Sequence, residues 1–190
     1  MRFNITSRVC RLLTMKVNQT TFDSDHFSRL DYVHLHERNT AAAILEGKLA
    51  FERFASSHDV RIRHYHCDNG VFADKDFIAS CVACRQTYSF CGVNAHHQNG
   101  IVERRIRSLR DSARSMLLLA KHNWPDAITA HLWPFALRYA SLIRRNTVRE
   151  GARTPLEAFS GTTILPTLCR KYVLSPFIVI RKLGDDICFM

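Results

Sequence analysis

Two short segments carry the residues best suited to chemistry: His64-Tyr65-His66-Cys67-Asp68-Asn69-Gly70, and Gln98-Asn99-Gly100-Ile101-Val102-Glu103-Arg104-Arg105. Asp68 closes a run with strand character, and Glu103 follows thirty-five positions later in the first turn of a long basic helix. Two hard oxygen donors brought together beside cationic side chains suit a divalent metal and a phosphodiester substrate. Two carboxylates can hold one Mg²⁺. A two-metal site that orients a nucleophile and stabilises a leaving oxygen usually needs a third acid, so the rest of the chain must be searched for one.

The surroundings favour a polyanionic partner. The 190 residues carry a formal net charge of +10 and a pI near 9.6. Arginine dominates the excess between Arg104 and Arg153. Such a balance speaks for solubility and for nucleic acid before it speaks for any fold. A hydrophobic content of 46% excludes the disordered and collagen-like classes and allows one domain with a real core. No apolar run is long enough to span a bilayer, so no membrane partner is expected. The seven cysteines form no regular framework, which fits a reducing compartment. Cys81 and Cys84 form a C-x-x-C that His96 and His97 could extend to a zinc set, but the histidines are adjacent rather than spaced, and buried thiols are the expected reading.

Several elements must position these residues. Gln19–Phe22 and Leu30–Leu35 read as a hairpin around the polar turn Asp23-Ser24-Asp25-His26. Thr40 caps a helix to about Ser57, with Ile44, Phe51 and Ala55 on one face. Period-two alternation puts Val60, Ile62, His64, His66 and Asp68 on one face of a strand. A helix is expected from about Ala73 to Arg85 and a strand from Thr87 to Cys91. The strongest helix then places Val102, Ile106, Leu109, Ala113, Met116, Leu117 and Ala120 on an apolar face, leaving arginine on the other. A further helical region is expected from Trp124 to Arg145. Thr154-Pro155-Leu156-Glu157 is a capping box that opens a short helix, and Gly161 ends it. Strands are expected from Ile164 onward.

Cys67-Asp68-Asn69-Gly70, the loop Gly92–Gly100 with Ile101-Val102-Glu103-Arg104, and Thr154–Gly161 resemble the integrase catalytic core of copia-type LTR retrotransposons. The likeness extends over residues 19–161. It implies an α/β, ribonuclease-H-like mixed sheet flanked by helices, with a helical C-terminal extension and a first strand that is doubtful here. It implies DNA integration: metal-dependent 3′-end processing and strand transfer of element ends into host DNA. Asp68 and Glu103 match the second and third acids of the family's triad, which holds two Mg²⁺ ions, or Mn²⁺ in their place. Gln98, Asn99, Arg104, Arg107 and Arg110 match positions that contact DNA. Double-stranded DNA and a homo-oligomer are the implied partners, and nucleus or cytoplasm the implied location.

One element of that pattern is missing. The family's first acid lies on its first strand, and no Asp or Glu occurs between Met1 and Phe22. Asp25 matches a second-strand acid that binds no metal, and Asp23 replaces an apolar residue. The division expected is therefore a degenerate or foreign segment over residues 1–18, the core over 19–122, its helical extension over 123–161, and the truncated start of a strand region over 162–190. As an isolated chain it is expected to be inactive in strand transfer. The alternative is a non-catalytic nucleic-acid-binding protein using the basic helix.

Overall fold

In the computed structural model, residues 6–15, 20–38, 40–67, 71–92, 100–148, 153–163, 180–183 and 186–189 are described; at 6–15, 20, 71, 180–183 and 186–189 the backbone alone is described. The chain runs β1 (Thr6–Met15), β2 (Thr20–Asp25), β3 (Asp31–Leu35), α1 (Ala41–Ser56), β4 (Val60–Cys67), α2 (Lys75–Ala83), β5 (Thr87–Phe90), α3 (Gly100–Asn123), α4 (Trp133–Asn146), α5 (Pro155–Ser160), β6 (Ile180–Leu183) and β7 (Asp186–Phe189). The first five strands form one sheet in the order β3-β2-β1-β4-β5. Strands β1 to β3 are antiparallel neighbours, whereas β4 lies parallel to β1 and β5 parallel to β4. Helices α1 and α2 supply the crossovers that parallel pairing demands. The result is the mixed sheet with flanking helices of a ribonuclease-H-like fold. β6 and β7 form a separate hairpin.

The doubt about a first strand is removed by β1, which is the middle strand. It pairs with β2 from Cys10↔Asp25 to Met15↔Thr20 and with β4 from Thr6↔Val60 to Leu12↔Cys67. A central strand can be read poorly in sequence, because pairing on both edges stabilises it without an alternating pattern.

Two cores sit on the two faces of this sheet. One gathers Ile44, Phe51 and Ala55 of α1, Val60, Ile62, Tyr65 and Cys67 of β4, Phe77 and Cys81 of α2, and Phe159 of α5. The other joins Phe22 and Val33 to Val102, Leu109 and Ala113 of α3 and Ala136, Leu137 and Ala140 of α4. The apolar stripe expected for the basic helix is thus the docking face of α3, with Ile106, Met116 and Leu117 partly buried beside it.

Several boundaries differ from expectation for physical reasons. β2 runs on to Asp25, so Asp23, Ser24 and Asp25 are buried strand residues rather than turn residues. The hairpin turns instead at positions 26–28, where Asp25 Oδ2 accepts from Ser28 N at 2.7 Å. A 3₁₀ turn at Val71–Ala73 precedes α2, whose cap is Asp74, accepting from Asp76 N at 2.9 Å. The helical region expected from Trp124 begins as α4 only at Trp133, after a turn and a 3₁₀ segment. α1 starts after Thr40 as expected, but its buried face includes Lys48.

Candidate nucleic-acid interface

Asp68 is the residue after Cys67, where β4 ends, and lies outside the described residues, as do Gln98, Asn99, His96 and His97. The strand that delivers it is well defined. Register shifts between Arg8↔Ile62 and Val9↔His64, so Arg63 is an extra residue in β4. A bulge of this kind reverses the alternation. Val60 and Ile62 are buried, and beyond the bulge Tyr65 and Cys67 are buried. The expectation that Val60, Ile62, His64 and His66 share one face is therefore corrected: the histidines take the opposite phase from the buried pairs.

That second face is tied across to β5. His64 Nδ1 is 2.7 Å from Thr87 Oγ1, and its Nε2 is 2.9 Å from Ser89 Oγ. His66 Nδ1 is 2.8 Å from the same Ser89 Oγ, and Cys91 Sγ is 3.3 Å from His66 Nε2. Cys91 N also donates to Cys67 O at 3.0 Å, continuing the pairing past the end of both strands. The end of β4 is thereby held from the side as well as by its sheet bonds.

Glu103 stands in the first turn of α3, exposed to solvent. Its neighbour Val102 is buried in the same core as Phe22. Phe22 pairs with Leu13 of β1, one residue beyond Leu12, which pairs with Cys67. Arg105, two residues after Glu103, donates to Ser24 of β2, which pairs with Arg11 of β1, itself paired with His66 near the end of β4, so this turn lies at that level of the sheet. A carboxylate in the first helical turn also suits the helix dipole.

Arg104, Arg107 and Arg110 are exposed on α3, while Val102, Leu109 and Ala113 point into the core. Arg104 Nε donates to Gly100 O at 3.2 Å, a contact that closes the start of the helix. The arrangement is a cationic ridge on a helix whose opposite face is fixed by burial. Such a ridge suits a phosphate backbone, where each cation contacts a phosphate and releases a counterion.

Among the described residues no group of three His, Cys, Asp or Glu side chains is placed to hold a metal ion. β1, the parallel neighbour of β4 and the strand from which a further ligand could come, reads Thr-Ser-Arg-Val-Cys-Arg-Leu-Leu-Thr-Met and offers no carboxylate. β1 thus supplies no third acid for a two-metal site. Cys81 is buried in the core, and burial pushes its thiol up to about 11, which disfavours the thiolate; His96 and His97, the other members of the candidate zinc set, lie outside the described residues.

Sequence reasoning missed three buried polar groups under the sheet and helices. Lys48 Nζ contacts Glu52 Oε1 at 2.8 Å and donates to Ser80 Oγ at 3.0 Å. Asp23 is wholly buried, and neither carboxylate oxygen has a hydrogen-bond partner among the described residues. Burial, then the charge of Glu52, holds its carboxyl well above the usual range against the opposing pull of Lys48. Asp31 lies between Arg105 of α3 and Arg144 of α4, each 3.5 Å away. Asp23 and Asp31 sit in strands where an alternation pattern treats charge as exposed; Lys48 falls on the apolar stripe of α1, four residues before Glu52, which is the signal that could have found it.

No family model and no curated protein matches the chain. Solved structures do. A chain of the simian T-cell lymphotropic virus intasome in complex with PP2A regulatory subunit B56 gamma matches with a TM-score of 0.64 at 16% identity, covering 85% of this chain and 57% of that one. The bovine immunodeficiency virus (BIV) integrase catalytic core matches with a TM-score of 0.61 at 21% identity, over 88% of this chain and 99% of that one. The HTLV-2 integrase catalytic core in complex with magnesium, in its dimeric form, matches with a TM-score of 0.57 at 15% identity, over 83% and 99%. The chain therefore has the fold of a retroviral integrase catalytic core, and it spans little more than half of the intasome chain.

Proposed function

We propose that this chain is the catalytic-core part of a copia-type retrotransposon integrase, and that as it stands it holds double-stranded DNA without joining it. The observation that carries the DNA reading is α3: one face buried through Val102, Leu109 and Ala113, the other presenting Arg104, Arg107 and Arg110. Asp68 and Glu103 are the proposed remaining metal ligands, and Gln98 and Asn99 the proposed contacts to the strand near the scissile phosphate. The likeness of fold to the integrase cores of HTLV-2 and BIV supports the same assignment. Strand transfer needs every ligand of its metal site, because positioning the ions is the catalysis. The carboxylate-free sequence of β1 is the ground for proposing inactivity.

The test has two arms. Affinity for a duplex with a retrotransposon-like end, measured against salt, should give a linear log–log plot whose slope falls by roughly 0.9 for each of Arg104, Arg107 and Arg110 replaced by Gln, one phosphate contact each. Unchanged affinity in all three variants would remove the interface. In the second arm, product formation with Mg²⁺ or Mn²⁺ should stay at background, and robust joining would overturn inactivity. The same β1 sequence favours one other reading, a nucleic-acid-binding protein unrelated to integration. It requires that Asp68→Asn with Glu103→Gln leave DNA binding unchanged and independent of divalent metal, whereas a residual integrase site should show metal-enhanced binding that this double variant loses.

A further inference from the structure

We propose that Asp31 is a positioning residue for the DNA-facing helix: through Arg105 and Arg144 it fixes the rotation of α3, and hence the direction in which Glu103, Arg104, Arg107 and Arg110 are presented. The proposal rests on the reading of α3 as the DNA-binding element. Its foundation is a buried polar cluster where β2, β3, α3 and α4 meet.

Asp31 opens β3 and is 2% exposed. Its Oδ1 is 3.5 Å from Arg105 Nη1 and its Oδ2 is 3.5 Å from Arg144 Nη2. Arg105 Nη1 also donates to Ser24 Oγ and, at 3.4 Å, to the carbonyl of Asp25. Ser24 Oγ in turn donates to Asp31 Oδ1 at 3.3 Å. On the other side, Ser141 Oγ donates to Asp31 O at 2.9 Å, and Arg144 Nη1 donates to the carbonyl of Arg105 at 3.1 Å. The cluster thus grips α3 twice, by the Arg105 side chain from the sheet and by the Arg105 carbonyl from α4.

An apolar stripe sets the rotation of a helix only loosely, because aliphatic contacts are not directional. Charged groups inside a fold are costly unless they meet in one geometry, so a buried ion cluster penalises the alternatives more than it stabilises the native state. Successive residues on a helix are about 100° apart. With Arg105 turned inward to Ser24 and Asp31, Arg104 and Glu103 have their directions fixed, and Arg107 is carried about 200° round from Arg105. A rotation by one residue would break the Arg105 contacts and move every cation of the ridge by the same angle.

The experiment compares Asp31→Asn, Asp31→Glu and Arg105→Met in the full chain. Hydrogen exchange is followed separately for peptides from residues 100–112 of α3 and 41–56 of α1, and duplex affinity is measured in parallel. Asp31→Asn and Arg105→Met should speed exchange in the α3 peptides at least tenfold with α1 protection unchanged. They should weaken DNA binding several-fold, and Asp31→Glu should restore both. Unchanged α3 exchange, or equal loss of protection in α1 and α3, would overturn the proposal, the second because it marks general destabilisation. Arg144→Met supplies an independent variant should Asp31→Asn fail to fold, and the same outcomes decide it. If the wild-type chain binds no DNA, the interface reading fails while the exchange data still decide whether Asp31 holds α3.

Discussion

Lys48 Nζ lies 2.8 Å from Glu52 Oε1 with the lysine side chain wholly buried and the glutamate 19% exposed. The ammonium also bonds Ser80 Oγ and sits 5.4 Å from the centre of the Tyr65 ring. Glu52 accepts at the same oxygen from Tyr65 Oη at 3.0 Å and Gln86 Nε2 at 2.6 Å. One carboxylate thus joins α1 to β4 and to the turn before β5, while Lys48 joins α1 to α2.

Removing only the cation should be expensive. Lys48→Met leaves Glu52 charged in an enclosed network, with an expected loss of about 3 kcal/mol or more. Adding Glu52→Gln retains an acceptor for Tyr65 and removes the uncompensated charge, so the double variant should recover most of that loss. Denaturant midpoints of the two single variants and the double variant check this: additive losses would contradict coupling.

Asp23 predicts a pH dependence of opposite sense to a salt-bridged carboxylate. Its folded-state pKa is raised well above the usual carboxylate range, mainly by burial. Its contribution is therefore present in full below the unfolded pKa and is lost as pH rises through the folded one. Between those two values the wild type should lose up to about 1.4 kcal/mol per pH unit through this group. Asp23→Asn keeps the shape and cannot ionise. Its advantage over wild type should be small near pH 4 and widen towards pH 7; Lys48 and Glu52, the charges that act on Asp23, are the same in both proteins. Denaturant unfolding at a series of pH values measures it, and a constant difference would show that the folded and unfolded pKa values of Asp23 coincide, so that burial does not raise it.

What could be read in the sequence was whatever follows a simple period or a local cap. The stripe of α3 and the Thr154 capping box are of this kind, and both are present. β4 was legible as a strand but not in its facing, because the extra residue Arg63 changes phase without changing composition. β1 was illegible for a different reason: one of the two partners that define it, β4, is distant in sequence, and pairing on both edges holds the strand without an alternating pattern. The buried charges were hidden because Asp31, Arg105 and Arg144 acquire their environment only when four elements meet. Asp68 is legible by motif alone, whereas the surroundings of Glu103 follow from Val102 and Phe22.

The end of α5 gives a local stability test. Thr154 Oγ1 accepts from Glu157 N at 3.1 Å while Glu157 Oε2 accepts from Thr154 N at 2.8 Å. Gly161 closes the helix with φ 72°, a left-handed conformation. Thr154→Ala and Gly161→Ala should each cost about 1 kcal/mol. Since Leu156 and Phe159 insert into the main core, the loss should appear in cooperative unfolding of the whole domain. A change confined to local fraying, read by exchange in α5 with an unchanged global midpoint, would contradict that coupling.

Cysteine reactivity provides the last test, because Cys81 and Cys84 are neighbours in sequence with different surroundings. Cys81 is fully buried in the core with Phe77 and Ile44, whereas Cys84 is half-buried at the end of α2. Desolvation is the largest cause of the raised Cys81 pKa, with Lys48 pulling the other way and Glu52 adding to the rise; the thiol is pushed up to about 11 from an ordinary 9.0. At pH 7.5 the thiolate fraction at Cys81 is then about 100-fold below that of an unperturbed thiol, and burial slows access further. Alkylation by iodoacetamide, read by mass spectrometry of the peptide holding both residues, should label Cys84 well before Cys81 in the folded chain. In denaturant the two rates should converge. Lys48→Met removes the charge that lowers the Cys81 pKa and should slow its labelling further at a pH where the domain stays folded. Faster labelling of Cys81 in that variant, with Cys84 unchanged, would show that opening of the α1–α2 contact governs access instead.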